Sequence, residues 1–141
     1  MEELYSTQQP LVSVHMITYN HEKYIAQAIE GVLMQKTNFL FELVIGEDCS
    51  TDSTRVICKE YADRYPNIIK LLPDAGKNLG MMENAIRTTM ACTGKYIALC
   101  EGDDYWTDPY KLQKQVDFLE AHNDYGLTNT DADFYYQKTN I

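Results

Sequence analysis

The sequence predicts an α/β domain built on an open, mainly parallel sheet with helices on both faces. Three observations predict it. Apolar, β-branched runs alternate along the chain with stretches of 3.6-residue periodicity. The links between them are short, which favours βαβ units. The run "FELVIGE" is apolar almost throughout, as a strand covered on both faces would be.

The first strand is "LVSVHMI" (11–17), bounded by Pro10 and by "TYNH". Its alternation makes His15 a core residue. Over 22–35, Ile25, Ala28, Ile29, Val32 and Leu33 follow helical spacing, with Asn20 as the N-cap. "FELVIGE" (41–47) is the second strand. "STDST" opens a helix carrying Val56, Ile57, Tyr61 and Tyr65, and "YPN" stops it. "IIKLL" (68–72) is the third strand. After "PDAGKNLG", a stripe of Leu79, Met82, Ile86 and Met90 marks a third helix, closed by Gly94. "KYIALC" (95–100) is the fourth strand. Asp108 as N-cap and Pro109 at the first helical position start a fourth helix, whose buried stripe is Leu112, Val116 and Leu119. "YGLTNTDADFYY" alternates weakly and is expected to be a last strand.

The chain of 141 residues reads as a single domain over 1–141, long enough to bury a core. No run approaches the length of a membrane span, and the acidic, polar "MEELYSTQQP" is no secretory signal. The expectation is a cytoplasmic protein, or one associated peripherally with the inner face of the membrane. Twenty-one acids against twelve bases give a net charge of −9, which disfavours nucleic acid as a partner and is compatible with a divalent cation. Cys49, Cys58, Cys92 and Cys100 match no zinc or redox spacing and read as small thiols, buried apart from Cys49 in a loop.

In open parallel sheets ligands bind outside the carboxyl ends of the strands. "TYN", "EDCS" and "EGDDYW" all fall at such ends. Glu101, Asp103 and Asp104 crowd three carboxylates into four residues with no arginine nearby, and such groups raise one another's pKa values. A divalent cation relieves this, and oxygen-only ligands suit Mg²⁺ or Mn²⁺; an exposed acidic turn is the plain alternative. Asp48 either accepts a hydrogen bond from a base or sugar, or caps the helix that follows. Tyr19 either stacks on a base or roofs the core. Lys77 and Asn78 either approach phosphates or are solvated.

Together "VSVHMITYNHEKYIAQAIEGVLMQ", "FELVIGEDCSTDST" and "NLGMMENAIRTTMACTGKYIALCEGDDYWTDPYKL" resemble the family 2 glycosyltransferases of the GT-A fold, from about residue 11 to 117. The resemblance implies a Rossmann-like GT-A sheet cut off at the acceptor side. It implies that Ile17, Thr18 and Tyr19, ahead of Asn20, border the nucleotide, and that Asp48 binds the edge of uracil or another base. The family's N-x-G and following helix correspond to Asn78 through Asn84. Its D-x-D-D signature corresponds to Glu101, Gly102, Asp103 and Asp104: Asp103 faces ribose and metal, with Asp104 or Glu101 completing the metal site. Departures are Ile17 for proline, Glu47 and Glu101 for aspartates, and Cys49 for glycine.

The implied activity is inverting transfer of a sugar from a nucleotide-diphosphate sugar, UDP-sugar foremost, to a hydroxyl of a carbohydrate or lipid-linked acceptor. The cofactor would be Mn²⁺ or Mg²⁺. The acceptor-binding half of the family, with its catalytic base, follows the matched region, so no residue here is assigned as base. A non-catalytic fragment that binds nucleotide-sugar and metal is the alternative. A sugar-phosphate nucleotidyltransferase would want a glycine-rich basic loop after the first strand, and "TYNHEKY" is not one.

Overall fold

The computed structural model describes residues 8–136. In chain order the elements are β1 (Val12–Thr18), α1 (Ile25–Leu33), β2 (Phe41–Glu47), α2 (Thr54–Arg64), β3 (Ile69–Leu71), α3 (Met81–Ala91), β4 (Tyr96–Leu99) and α4 (Lys111–Ala121). All four strands are parallel, in the order β3-β2-β1-β4. The order reverses beside β1, so a crevice is expected between the ends of β1 and β4. β2 occupies the residues its apolar run marked, and the other strands lie within one residue of their predicted bounds.

Side-chain alternation in β1 divides the two faces. Val12, Val14 and Met16 pack with Ile25, Ala28, Ile29 and Val32 of α1, and Cys58 of α2 and Leu112 and Val116 of α4 join the same core. The opposite face carries the buried Ser13 and His15 under α3. His15 sits in the interior as expected, its Nε2 3.1 Å from the Ala85 carbonyl. The four cysteines are free thiols, with Cys58 and Cys100 buried and Cys49 and Cys92 half-buried. Burial pushes the Cys58 and Cys100 thiols up to about 12.

Four expectations are corrected. The α3 stripe points outward: Met82, Ile86 and Met90 are 77%, 56% and 82% exposed, while Asn84 and Thr88 are buried. The reason lies beneath the helix at Gly46. A Cβ there would overlap the Thr88 hydroxyl and stand 3.0 Å from Asn84 Oδ1. The helix therefore rides close to β2 on small polar groups, and Asn84 Nδ2 donates to the Gly46 carbonyl at 2.7 Å.

Asn20 does not cap α1. It adopts left-handed φ (53°) and bonds to the turn after β2, while α1 starts at Ile25 after a turn closed on the His21 carbonyl. α4 starts at Lys111, after a turn in which Asp108 Oδ1 accepts the Tyr110 N–H and the Asp108 carbonyl accepts the Lys111 N–H; Asp108 Oδ2 pairs with Lys114 in the first helical turn. Residues 126–136 form no strand: Leu127, Phe134, Tyr135 and Tyr136 are exposed, and among the described residues no neighbouring strand supplies the ladder that an isolated strand needs.

Gly46→Ala is expected to lower stability by about 1–3 kcal/mol through overpacking against Thr88. Adding Thr88→Ala should recover part of the loss, and urea midpoints of the three variants check this. A single Gly46→Ala variant as stable as wild type would show that α3 does not rest on Gly46.

Candidate functional site

The site is built on the last residues of β1. The Ile17 carbonyl accepts the Gly102 N–H at 3.0 Å, and the Thr18 carbonyl accepts the Asp48 N–H at 3.0 Å. The acidic loop after β4 and the turn after β2 are thus fixed on either side of one strand end. The turns after β1 and β2 also brace each other. Asn20 N–H donates to Ser50 Oγ (3.0 Å), Thr51 N–H to Asn20 Oδ1 (2.9 Å), His21 N–H to Thr54 Oγ1 (2.8 Å) and Ser53 N–H to Glu22 Oε2 (2.9 Å). Cys49 takes a left-handed φ of 57°, which accounts for the glycine at this position in the family pattern.

Glu47 is fully buried; Oε1 accepts the Ser50 N–H at 2.7 Å and Oε2 pairs with Arg55 at 3.1 Å. Its role is to hold the turn. Asp48 is 3% exposed, and its carboxylate accepts from Leu79 N–H (2.7 Å), Gly80 N–H (3.0 Å) and Asn78 Nδ2 (3.1 Å). It clamps the loop entering α3 and does not cap α2. Arg87 closes this side, donating to the Glu47 and Pro73 carbonyls and to Asn84 Oδ1.

A cleft of about 250 Å³ opens over these strand ends, lined by Ile17, Thr18, Tyr19, Asp48, Asn84 and Glu101 among others. Tyr19 is 43% exposed at its wall, so its ring is free to meet a ligand. Asn84 lines the cleft with both polar atoms engaged, and Lys77 is exposed outside it.

Gly102, Asp103 and Asp104 follow Glu101 beyond the cleft lining. Gly102 is required there: a Cβ would stand within 3.0 Å of His21 Nδ1 and overlap Thr18. Among the described residues no three His, Cys, Asp or Glu side chains are gathered tightly enough to hold a metal ion, so Glu101, Asp103 and Asp104 are neighbours without forming a ready-made cage. Burial first, and the Asp103 charge second, push the Asp104 carboxyl above the usual range, with His21 offsetting part of the effect. Mg²⁺ and Mn²⁺ commonly take only one or two protein carboxylates and complete their shells with water and substrate phosphate. The oxygen donors of Asp103 and Asp104 fit that requirement.

Sequence reading missed His21, Arg55 and Arg87. His21 directly follows "TYN" and lines the cleft, with Nδ1 3.0 Å from Thr18 Oγ1 and Nε2 3.8 Å from Asp103 Oδ2. Arg87 stands three residues after Asn84, the helical spacing that lets them bond.

The pattern of "Glycosyl transferase family 2" matches residues 13–139. EpsE of Bacillus subtilis (strain 168), provisionally named a glycosyltransferase, is 41% identical over 122 residues, covering 86% of this chain and 42% of EpsE. The mannosyltransferase PcManGT from Pyrobaculum calidifontis, solved with GDP-Man and Mn²⁺, superposes with a TM-score of 0.68 at 22% identity, covering 80% of this chain and 33% of that one. S. aureus TarS 1-349, solved with UDP, gives 0.63 at 27% identity, covering 79% and 32%. The chain therefore spans between about a third and two fifths of these proteins. Among the described residues no helix is long and apolar enough to cross a membrane.

Because the native Asp104 carboxyl titrates above its unfolded value, the native state holds the extra proton between the two values, and stability falls as pH rises through that window. Asp104→Asn removes this loss. Urea midpoints should diverge in favour of the variant as the pH is raised from about 3 to about 7. Parallel curves would mean that the crowding of Asp104 is not felt by the fold.

Proposed function

The chain belongs to glycosyl transferase family 2, and from that premise we propose that its cleft binds the nucleotide diphosphate of a sugar donor, UDP-sugar foremost. The proposed reaction is inverting transfer to a hydroxyl of a carbohydrate or lipid-linked acceptor in polysaccharide or glycoconjugate synthesis. It would take place in the cytoplasm or at the inner membrane face. The observation that carries the reading is convergence: residues from the ends of β1, β2 and β4, far apart in sequence, line one cleft.

Each residue has a job its environment suits. The exposed Tyr19 ring offers a flat apolar face for the base. A carboxylate has about four acceptor positions. The loop entering α3 occupies three of those on Asp48, leaving one on Oδ1 for a base N–H. Ile17, Thr18 and Asn84 shape the pocket around the nucleoside, and Gly102 keeps the acidic loop against them. Asp103 faces the ribose and, with Asp104 or Glu101, would hold Mn²⁺ or Mg²⁺ together with the donor phosphates. When bound, that ion supplies the positive charge that stabilises the leaving diphosphate. A donor-binding module that transfers nothing is the second reading; a transfer assay with donor and acceptor mixtures separates the two.

UDP is expected to bind more tightly in Mn²⁺ than in EDTA by isothermal titration, and more tightly than GDP or dTDP. Asp103→Asn should reduce the Mn²⁺-dependent gain more than Glu101→Gln does, because Asp103 keeps the family residue and Glu101 is a substituted one. Equal UDP affinity with and without metal would remove the ion from the site.

Asp48→Ala should weaken uridine binding without metal by about tenfold to a hundredfold, the worth of one charged hydrogen bond of about 1.5–3 kcal/mol. It should also lower the urea midpoint, since the loop at Leu79 and Gly80 loses its anchor. A lowered midpoint with uridine affinity intact in the folded fraction would leave Asp48 as a loop anchor only.

A further inference from the structure

We propose that His21 is a positioning residue, whose Nε2–H orients the Asp103 carboxylate toward the donor's diphosphate and its divalent cation. The inference rests on the donor-site reading above and extends it to a side chain outside the family signatures.

The imidazole has two ends with different neighbours. Nδ1 lies 3.0 Å from the hydroxyl of the buried Thr18, and Nε2 lies 3.8 Å from Asp103 Oδ2. A neutral imidazole carries one proton. With that proton on Nδ1, the Nε2 lone pair would face a carboxylate and repel it. With the proton on Nε2, the Thr18 hydroxyl donates into Nδ1 and an N–H faces the carboxylate. Electrostatics selects the second arrangement. At 3.8 Å the pair stands just outside hydrogen-bond reach, and the Asp103 side chain, 47% exposed, needs only a small rotation to close it.

The histidine is itself held in place. Its N–H donates to Thr54 Oγ1 at 2.8 Å, and its carbonyl accepts the N–H groups of Tyr24 and Ile25 at 2.9 Å each. Gly102 leaves the space in which the Thr18–His21 pair lies against the acidic loop. Asp48 is oriented by two backbone N–H groups and an amide; among the described residues Asp103 has no such donors, and His21 is the group placed to orient it. Histidines and carboxylates that orient metal ligands typically change metal affinity by about ten- to a hundredfold when removed.

The test compares His21→Asn with His21→Gln. The asparagine amide ends near the position of Nδ1, so it keeps the Thr18 contact and loses the donor toward Asp103. The glutamine amide reaches the position of Nε2 and keeps that donor. For each variant, UDP affinity is titrated in Mn²⁺ and in EDTA, and the ratio is taken so that changes in the fold cancel; the Mn²⁺ electron paramagnetic resonance signal in the presence of UDP gives an independent reading. His21→Asn should lower the ratio by about tenfold, and His21→Gln should restore most of it. A ratio unchanged in His21→Asn, or lowered equally in both variants, overturns the role of His21 while the donor-site reading stands. A wild-type ratio of one overturns the metal reading itself, and this inference with it.

Discussion

Two carbonyls at the end of β1 hold the site together. Ile17 and Thr18 lie on the central strand, and their oxygens accept from Gly102 on one side and Asp48 on the other. Thr18 stands opposite Glu47, whereas β4 leaves the ladder at Leu99, opposite His15, and its loop follows β1 onward through Cys100 N–H to the His15 carbonyl and Gly102 N–H to the Ile17 carbonyl. Gly102 of the loop after β4 and Asp48 of the turn after β2 are thereby brought together at the end of β1. A shift of either neighbouring strand along β1 would carry its carboxylates away from the cleft and break the ladder. Position is thus imposed by backbone hydrogen bonds, and chemistry is added by the side chains the backbone delivers.

β2 was legible because burial on both faces writes itself as an unbroken apolar run. The helices were legible as periods and less so as orientations. In α3 the apolar stripe of Met82, Ile86 and Met90 fixes the helical repeat, yet it faces away from the sheet. The inward face is set by Gly46, which sits on another element, so no local pattern in α3 reports it. Caps failed for a related reason. Asn20 and Asp108 are good cap residues by type, but Asn20 bonds across to the turn after β2, and Asp108 makes its local bond to the Tyr110 N–H in the turn ahead of the helix. For Asn20 a long-range partner outcompeted the local role.

The candidate site divides in the same manner. That Tyr19, Asp48 and Glu101 share one cleft follows from strand-end placement, which topology alone predicts. The partners of the carboxylates do not follow from it. Arg55 pairs with Glu47 from eight residues away, and Arg87 ties β2, the loop after β3 and α3 together. These contacts depend on how two helices dock, and docking is decided by packing that a linear reading does not contain.

The environments of the acidic side chains explain how one sheet edge carries so much negative charge in a chain of net charge −9. Glu47 and Asp48 are buried, the first engaged by Arg55 and a backbone N–H, the second by three N–H donors that leave one acceptor position on Oδ1. Their charge is neutralised or spread within the protein, so they act as framework. Asp103 and Asp104 receive no comparable compensation, and the rise in the Asp104 carboxyl is the electrostatic consequence. A carboxylate already supplied with donors has little to gain from a cation, whereas a crowded pair gains most. The same physical quantity, how much hydrogen bonding each carboxylate has received, separates the acids that build the cleft from those with the most to gain from a cation. It also explains why Asp103 stands at the exposed rim: burying it without donors would destabilise the fold before any ligand arrived.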